Sequence, residues 1–233
     1  MKLAPKNIEK ILFLLHNYFM FNRKFDGIIL DIDGTIWNTT GIVAVAWNKA
    51  IAESGKTSVV QKLTAQTLQK EFGKPMNVIA QDLWPELSDF ERNVLLEKCC
   101  AYEQAALKEN QIDICYQGVV ETIKNLSVNN NFFVVSNCQG GYIELMLEKT
   151  GLTPYVKDFE CYGRTLKGKA ENILLVKARN SLNNPIYVGD TQGDCDSCFQ
   201  AKIPFIWASY GFGKVDKCFD KIDTFSELER IVS

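Results

Sequence analysis

Histidine is almost absent: the 233 residues contain one, His16. A Ser-His-Asp triad, a His-rich zinc site or a histidine phosphocarrier would each have to use that single side chain, so these classes drop out. A basic surplus is missing too. The 26 Lys and Arg against 28 Asp and Glu leave a net charge of −2, which offers no electrostatic footprint for nucleic acid or an acidic membrane surface. No repeat and no low-complexity linker divides the chain. Disulfide density is lacking: the eight cysteines (Cys99, Cys100, Cys115, Cys138, Cys161, Cys195, Cys198 and Cys218) are too diluted in a chain of this length to form a scaffold. Reduced thiols and a cytoplasmic location are expected. Composition is otherwise that of a soluble globular protein, 46% hydrophobic and 23% charged.

Residues 1–24 read as a helical leader. Ile8, Ile11, Leu12, Leu15 and Phe19 recur at helical spacing behind Lys2, Lys6 and Lys10. The start imitates a signal peptide, but the apolar run Ile11 to Leu15 is broken by His16-Asn17 and no small-residue cleavage site follows. It is too short to span a bilayer. Docking on the main domain or on a second subunit is the expectation, with a membrane-surface helix as the minor alternative and the chain a monomer or homodimer.

What is present centres on residues 25–37, FDGIILDIDGTIW. The apolar, β-branched run Gly27-Ile28-Ile29-Leu30 suits a strand buried on both faces of a parallel sheet. It runs out into Asp31-Ile32-Asp33-Gly34-Thr35, two carboxylates one residue apart with a glycine to turn the backbone. In open α/β sheets ligands bind beyond the carboxyl ends of the strands. A pair of acids there suits a hard cation, or the division of work between nucleophile and proton donor. The plain alternative for Asp-x-Asp alone is a solvated turn.

Beyond Trp37 the pattern is helical: residues 42–53 ending at Ser54-Gly55, then 64–72, 76–83 and 88–108, the last opened by a capping box of Ser88 and Glu91. Residues 39–111 therefore read as a helical block inserted into an α/β core made of 25–38 and 112–233. In the core, helices are expected over 118–127, 141–149 and 169–180. Strands are expected at Phe132-Phe133-Val134-Val135, Ile186-Tyr187-Val188 and 203–208. The predicted fold class is α/β, a doubly wound, mostly parallel, Rossmann-like sheet with an inserted α-helical cap.

Each strand end carries chemistry. Ser136-Asn137 can offer a hydroxyl and backbone N–H groups to an oxyanion, and taken singly is an ordinary turn. Lys169 opens a helix, where a cation is unfavourable unless an anion is near; alone it is a solvated lysine. Asp190 and Asp194 follow the strand through Val188, and their plain reading is a capped helix start at Asp190 or Thr191.

The joint order is strand-DxDGT, strand-Ser-Asn, Lys at a helix start, strand-GDxxxD. It resembles the four motifs of the haloacid dehalogenase-like hydrolases, in their phosphatase form, from about Phe25 to Gly213. The insert resembles the helical cap of the phosphoglycolate-phosphatase-like branch, with Phe72-Gly73-Lys74-Pro75-Met76 as its substrate-contacting loop and Leu83-Trp84-Pro85-Glu86 after it. The tail Ile203-Pro204-Phe205 through Ser209-Tyr210-Gly211-Phe212-Gly213 adds to the match. The leader departs from the family, and so does Lys202, where the branch commonly has glycine.

The resemblance implies that Asp31 attacks phosphorus and that Asp33 acts as acid, then base. Ser136, Lys169 and amides near Asp33 and Asn137 would bind the phosphoryl oxygens. Mg²⁺ would be held by the Asp31 carboxylate, the Asp33 carbonyl and Asp190, with Asp194 behind or beside it, and Gly73 and Lys74 would tune specificity from the cap. The implied activity is Mg²⁺-dependent hydrolysis of a small phosphorylated metabolite. A phosphomutase of the β-phosphoglucomutase kind is the nearest rival, and Thr35 stands where those mutases commonly have valine. The 2-haloacid dehalogenases lack the second acid, present here as Asp33. A non-catalytic metabolite sensor has no chemical need for all four motifs. Cys195-Asp196-Ser197-Cys198 lacks a second ligand pair at zinc spacing and reads as structural thiols. Trp47, Lys49 and Arg92, on helices of the insert, read first as packing and solvated faces.

Overall fold

A computed structural model describes residues 24–55 and 62–232; the leader expected over 1–24 falls almost wholly outside them. Six parallel strands form one sheet in the order β3-β2-β1-β4-β5-β6. They are β1 (Gly27–Leu30), β2 (Phe132–Ser136), β3 (Val156–Cys161), β4 (Pro185–Gly189), β5 (Phe205–Ala208) and β6 (Asp220–Ile222). The strand order reverses direction at β1, which pairs with β2 on one side and β4 on the other. A crevice at the carboxyl ends of such strands is the place where doubly wound sheets bind ligands.

Alternation along β1 explains the two-sided burial. Ile28 and Leu30 point to a core shared with Val119, Ile123, Met146 and Leu228. Ile29 points the other way, to a core with Phe133, Val135, Ile173, Val176 and Cys198. Each of these β1 side chains is fully buried, which stabilises the fold by about 1.5–3 kcal/mol apiece. The helices behind them are α5 (Val119–Leu126), α6 (Tyr142–Thr150) and α10 (Leu228–Val232) on one face, and α8 (Lys169–Arg179) and α9 (Gln192–Ala201) on the other. A short turn of helix, α7 (Tyr162–Thr165), follows β3.

Between β1 and β2 come α1 (Thr40–Ala52), α2 (Ala65–Glu71), α3 (Met76–Leu83) and α4 (Asp89–Glu109). They share an apolar core of their own around Val43, Trp47, Leu68, Ile79, Trp84, Leu95 and Cys99. α4 starts as expected: the Ser88 hydroxyl accepts the Glu91 N–H, and Glu91 Oε2 accepts the Ser88 N–H at 3.1 Å. Arg92 is structural, donating to the carbonyls of Trp84 and Leu87 and pairing with Asp89. Lys49 sits over the Tyr102 ring at 5.8 Å. All eight cysteines are free, Cys195 and Cys198 among them.

The seven helices given extents from the sequence match to within a residue or two, and α7, α9 and α10 were given none. β3 and β6 are strands that the sequence reading did not contain. Lys202 takes the left-handed conformation after α9 (φ +55°), the backbone that a glycine adopts without strain.

Candidate active site

The carboxyl ends of β2, β1 and β4 stand side by side, and the motif residues follow from them. Asp31 comes directly after β1, its N–H still bonded to the Val188 carbonyl of β4 at 2.9 Å. Ser136 ends β2 and Asn137 follows it, while Asp190 follows β4. Lys169 is the first residue of α8 and reaches across to the same place. Its Nζ lies 3.0 Å from Asp31 Oδ1 and also donates to Asp194 Oδ1. These anions account for a cation at a helix start. Burial opposes its charge, but Asp194 and Asp31 outweigh that and hold Lys169 protonated well above the ordinary lysine range.

Asp194 is doubly employed. Its Oδ2 accepts the N–H and hydroxyl of Thr191 at 2.9 and 2.8 Å and the Asp190 N–H at 3.2 Å. The Thr191 hydroxyl in turn accepts the Asp194 N–H at 3.2 Å. The capped helix start expected at Thr191 is therefore real, and it leaves Oδ1 for Lys169.

Asp190 is wholly buried, with Oδ2 accepting the Phe212 N–H at 2.7 Å and Oδ1 having no hydrogen-bond partner among the described residues. Gly34 and Gly211 close over this carboxylate. Gly34 has φ +84°, and a Cβ there would stand 2.1 Å from Asp190 Oδ2; one at Gly211 would stand 2.3 Å from its Cβ. The glycine of Asp-x-Asp-Gly thus serves both the turn and the close approach.

One carboxylate oxygen from each of Asp31, Asp190 and Asp194 lies within 4.8 Å of the others. The unpartnered Oδ1 of Asp190 and an all-oxygen donor set suit a hard divalent cation. Burial lifts the Asp31 carboxyl to about 6 against the pull of Lys169. Asp190 goes well above the carboxylate range through burial and then through Asp194 and Asp31. A cation would relieve this crowding of negative charge.

Asp33 stands apart from that cluster. Its Oδ1 accepts hydrogen bonds from Thr39 Oγ1 and Tyr142 OH, both at 2.8 Å. Burial nevertheless lifts its carboxyl to about 7, the two hydrogen bonds pulling the other way. A carboxyl poised near neutrality can give and take a proton.

The insert roofs this ground. A recess of about 380 Å³, counted out to its open mouth, is lined by Asp31, Asp33, Ser136 and Asn137 from the core and by Gly73 and Lys74 from the loop before α3. Asn137 Nδ2 donates to the Gly73 carbonyl at 2.8 Å, so the Ser-Asn turn and the loop are tied directly. Phe72 packs edge-on to Phe212 with centroids 6.4 Å apart. The Lys74 ammonium is taken up by Glu71 and Asp82 at 2.7 and 2.8 Å.

Asp31, Asp33, Ser136, Asn137, Lys169, Asp190, Asp194, Gly73 and Lys74 fall in or directly behind this crevice, whereas Lys49 and Arg92 do not. Four that were not singled out belong with them: Thr39, Tyr142, Gln139 and Glu103. Trp47, read first as packing, is buried and also lines the recess. For Glu103 a signal existed: Leu95, Cys99, Glu103 and Leu107 are the buried residues of α4, four apart, and one is an acid.

A Rossmann-like parallel sheet with paired acids at the end of its first strand, a buried lysine and a helical insert defines a class of α/β hydrolases. The chain belongs to one family of them: the model of the haloacid dehalogenase-like hydrolases matches residues 28–208. No curated protein matches the sequence. Among solved structures, a predicted phosphatase from Clostridium acetobutylicum superposes with TM-score 0.77 at 17% identity, covering 89% of this chain and 98% of its own. A predicted phosphoglycolate phosphatase from Haemophilus somnus 129pt gives 0.77 at 18%, covering 91% and 100%. A subfamily IA hydrolase of the superfamily from Geobacter sulfurreducens PCA gives 0.65 at 16%, covering 90% and 97%.

Proposed function

We propose that the chain is a Mg²⁺-dependent phosphatase acting on a small phosphomonoester through an aspartyl-phosphate. The observation that carries this is the division of labour between two acids of one motif: Asp31 paired with Lys169, Asp33 held by Tyr142 and Thr39. Family membership and the names of the similar structures support it.

In this reading the Asp31 carboxylate attacks phosphorus, and the bond to the leaving oxygen breaks as the aspartyl-phosphate forms. Lys169 keeps Asp31 ionised and offsets charge on the phosphoryl oxygens, together with the Ser136 hydroxyl and the amides near Asp33 and Asn137. Asp33, protonated, delivers its proton to the leaving oxygen. It then takes one from the water that attacks the acyl phosphate, which returns Asp31 and frees phosphate. Asp31, Asp190 and the Asp33 carbonyl would hold Mg²⁺, with Asp194 fixing Lys169 behind them. The ion supplies charge neutralisation to an anionic substrate.

Residues 39–111 act as the cap in this scheme, with Gly73 and Lys74 placed to meet the substrate and Asn137 latching the loop. The substrate is a free metabolite of the cytoplasm, with no role for nucleic acid or membrane; among the described residues no helix is long and apolar enough to cross a membrane.

Release of inorganic phosphate from p-nitrophenyl phosphate with Mg²⁺ tests the reading. Turnover lost in Asp31→Asn is expected, and turnover retained by that variant would refute the assignment.

A further inference from the structure

Glu103 is a buried acid in the roof of the recess, only 3% exposed. Trp47 Nε1 donates to its Oε2 at 2.7 Å and Gln139 Nε2 to its Oε1 at 3.0 Å. Both donors are neutral. A carboxylate offers about four acceptor sites, so roughly two remain for something else. A buried carboxylate with no cation beside it is costly unless another partner completes it. Burial lifts its carboxyl to about 7, and Asp33 nearby adds to the lift.

The neighbours say which part of a substrate Glu103 would meet. Glu103, Gln139, Tyr142 and Asp33 all line the recess, and Tyr142 bonds Asp33. Asp33 is the residue assigned to the leaving oxygen and acts on Glu103 through its charge, so Glu103 stands on the side of the leaving alcohol. The rest of the roof is apolar and aromatic: Trp47, Phe72, Met76 and Ile79. Among the described residues that line the recess the one cationic side chain is Lys74, and Glu71 and Asp82 already hold its ammonium. None of the described residues there offers a free cation to an anionic leaving group.

Resting on the phosphatase reading, we infer that Glu103 determines specificity and that the substrate is the phosphomonoester of a short amino alcohol, its ammonium completing the Glu103 carboxylate. Trp47 and Gln139 hold the carboxylate in place for that contact. Gln139 belongs to the core and Glu103 to the insert, so the acceptor is set only when the two are closed on each other. A carboxylate in the same position would face Glu103 as a like charge and be rejected. This separates the chain from any relative that takes a carboxylate-bearing ester, despite the shared fold.

The test compares three near-isosteric esters, 2-aminoethyl phosphate, n-propyl phosphate and carboxymethyl phosphate, with p-nitrophenyl phosphate run alongside. In the wild type kcat/KM should fall in that order, by at least about tenfold from first to last. Glu103→Gln should shrink the preference of amino over propyl ester about tenfold or more. Carboxymethyl phosphate turned over as well as the amino ester by the wild type, or an unchanged ratio in Glu103→Gln, would overturn the inference. Should Glu103→Gln fold poorly, inhibition of the wild type decides: 2-aminoethylphosphonate should compete with p-nitrophenyl phosphate more tightly than phosphonoacetate, and the reverse order refutes the idea. Absence of any turnover, p-nitrophenyl phosphate included, sinks the phosphatase reading itself and is thus distinguishable from a wrong substrate class.

Discussion

The Tyr142 hydroxyl donates to Asp33 Oδ1 at 2.8 Å and couples the helix after the Ser-Asn turn to the acid of the first motif. Thr39 closes the triangle, 2.8 Å from the same oxygen and 3.1 Å from the Tyr142 hydroxyl. Trp37 packs edge-on to the Tyr142 ring at 5.6 Å and keeps it there. A buried donor aimed at one carboxylate oxygen stabilises the ionised acid. Asp33 is lifted to about 7 by burial in spite of that donor.

Removing the donor in Tyr142→Phe should therefore raise the Asp33 pKa further. The acid then stays protonated to higher pH, so the alkaline limb of the kcat profile moves upward. Loss of one hydrogen bond of about 1 kcal/mol corresponds to an upward shift of that limb by roughly 0.7 pH unit. A limb that moves down, or does not move, would contradict the role given to Tyr142.

Metal binding should show the opposite dependence on protons from that of the buried carboxyl groups themselves. Asp31 is lifted to about 6 and Asp190 well above the ordinary carboxylate range, burial being the largest cause for each. The folded state thus holds protons that the unfolded chain gives up above about pH 4. For these groups stability is lost as pH rises toward 7. A divalent cation must displace those protons, so it binds and stabilises best once they are gone. Millimolar Mg²⁺ should raise Tm more at pH 8 than at pH 5.5. Chelation should abolish phosphate release and Mg²⁺ restore it, while Ca²⁺ should serve poorly because it prefers more ligands at longer distances. Full activity in excess chelator would rule the metal out.

The central crevice was legible because each of its parts is local in the chain. β1 is a continuous apolar run ending in Asp31, and Thr191 caps α9 three residues before Asp194. The edge strands were not legible. β3 carries Lys157, Asp158 and Glu160 among its six residues, and it is held as a strand by Arg179, which pairs with Asp158 and Glu160 at 2.7 and 3.0 Å. β6 has three residues and takes its conformation from pairing with β5. Tyr142 and Glu103 were missed for a different reason. Their partners lie far away in sequence, Asp33 for the one and Trp47 and Gln139 for the other, so no spacing encodes the contacts. Only the acid interrupting the stripe Leu95-Cys99-Glu103-Leu107 gave notice.

Lys202 supplies a test of the fold alone. It is exposed and held at φ +55°, ψ +46° after α9. A side chain in the left-handed region costs about 1–2 kcal/mol. Glycine avoids this but adds unfolded-state entropy worth about 0.4–1 kcal/mol. Lys202→Gly should then stabilise the chain by about 0.5–1 kcal/mol in denaturant unfolding. Destabilisation would show that the lysine stem contributes packing that the turn needs.

Lys74 tests the loop over the recess. Its ammonium sits between Glu71 and Asp82, so Lys74→Ala leaves both carboxylates unpaired near the mouth. The added negative potential should raise KM for esters with anionic leaving groups more than for neutral ones. The metal requirement should be untouched. An unchanged ranking across an ester panel would remove Lys74 from substrate recognition.

The sharpest test separates the two acids of the first motif. Asp31 has to be ionised to attack, and Lys169, 3.0 Å away and held charged by Asp194, favours that state. Asp33 has to carry a proton when the leaving oxygen departs, and its burial favours that one. Asp31→Asn should lose all turnover, since no carboxylate remains to accept phosphorus. Asp33→Asn should depend on the ester. The leaving group of p-nitrophenyl phosphate needs little protonation, so phosphorylation of Asp31 should partly survive while hydrolysis of the acyl phosphate lacks its base. A burst of nitrophenol near one equivalent of enzyme should precede a slow steady state. An alkyl phosphate should give neither burst nor turnover, because its alkoxide cannot leave without the proton. Equal slowing of aryl and alkyl esters, with no phosphoenzyme to be trapped, would mean that Asp33 does not act as the acid and that Tyr142 and Thr39 hold it for some other purpose.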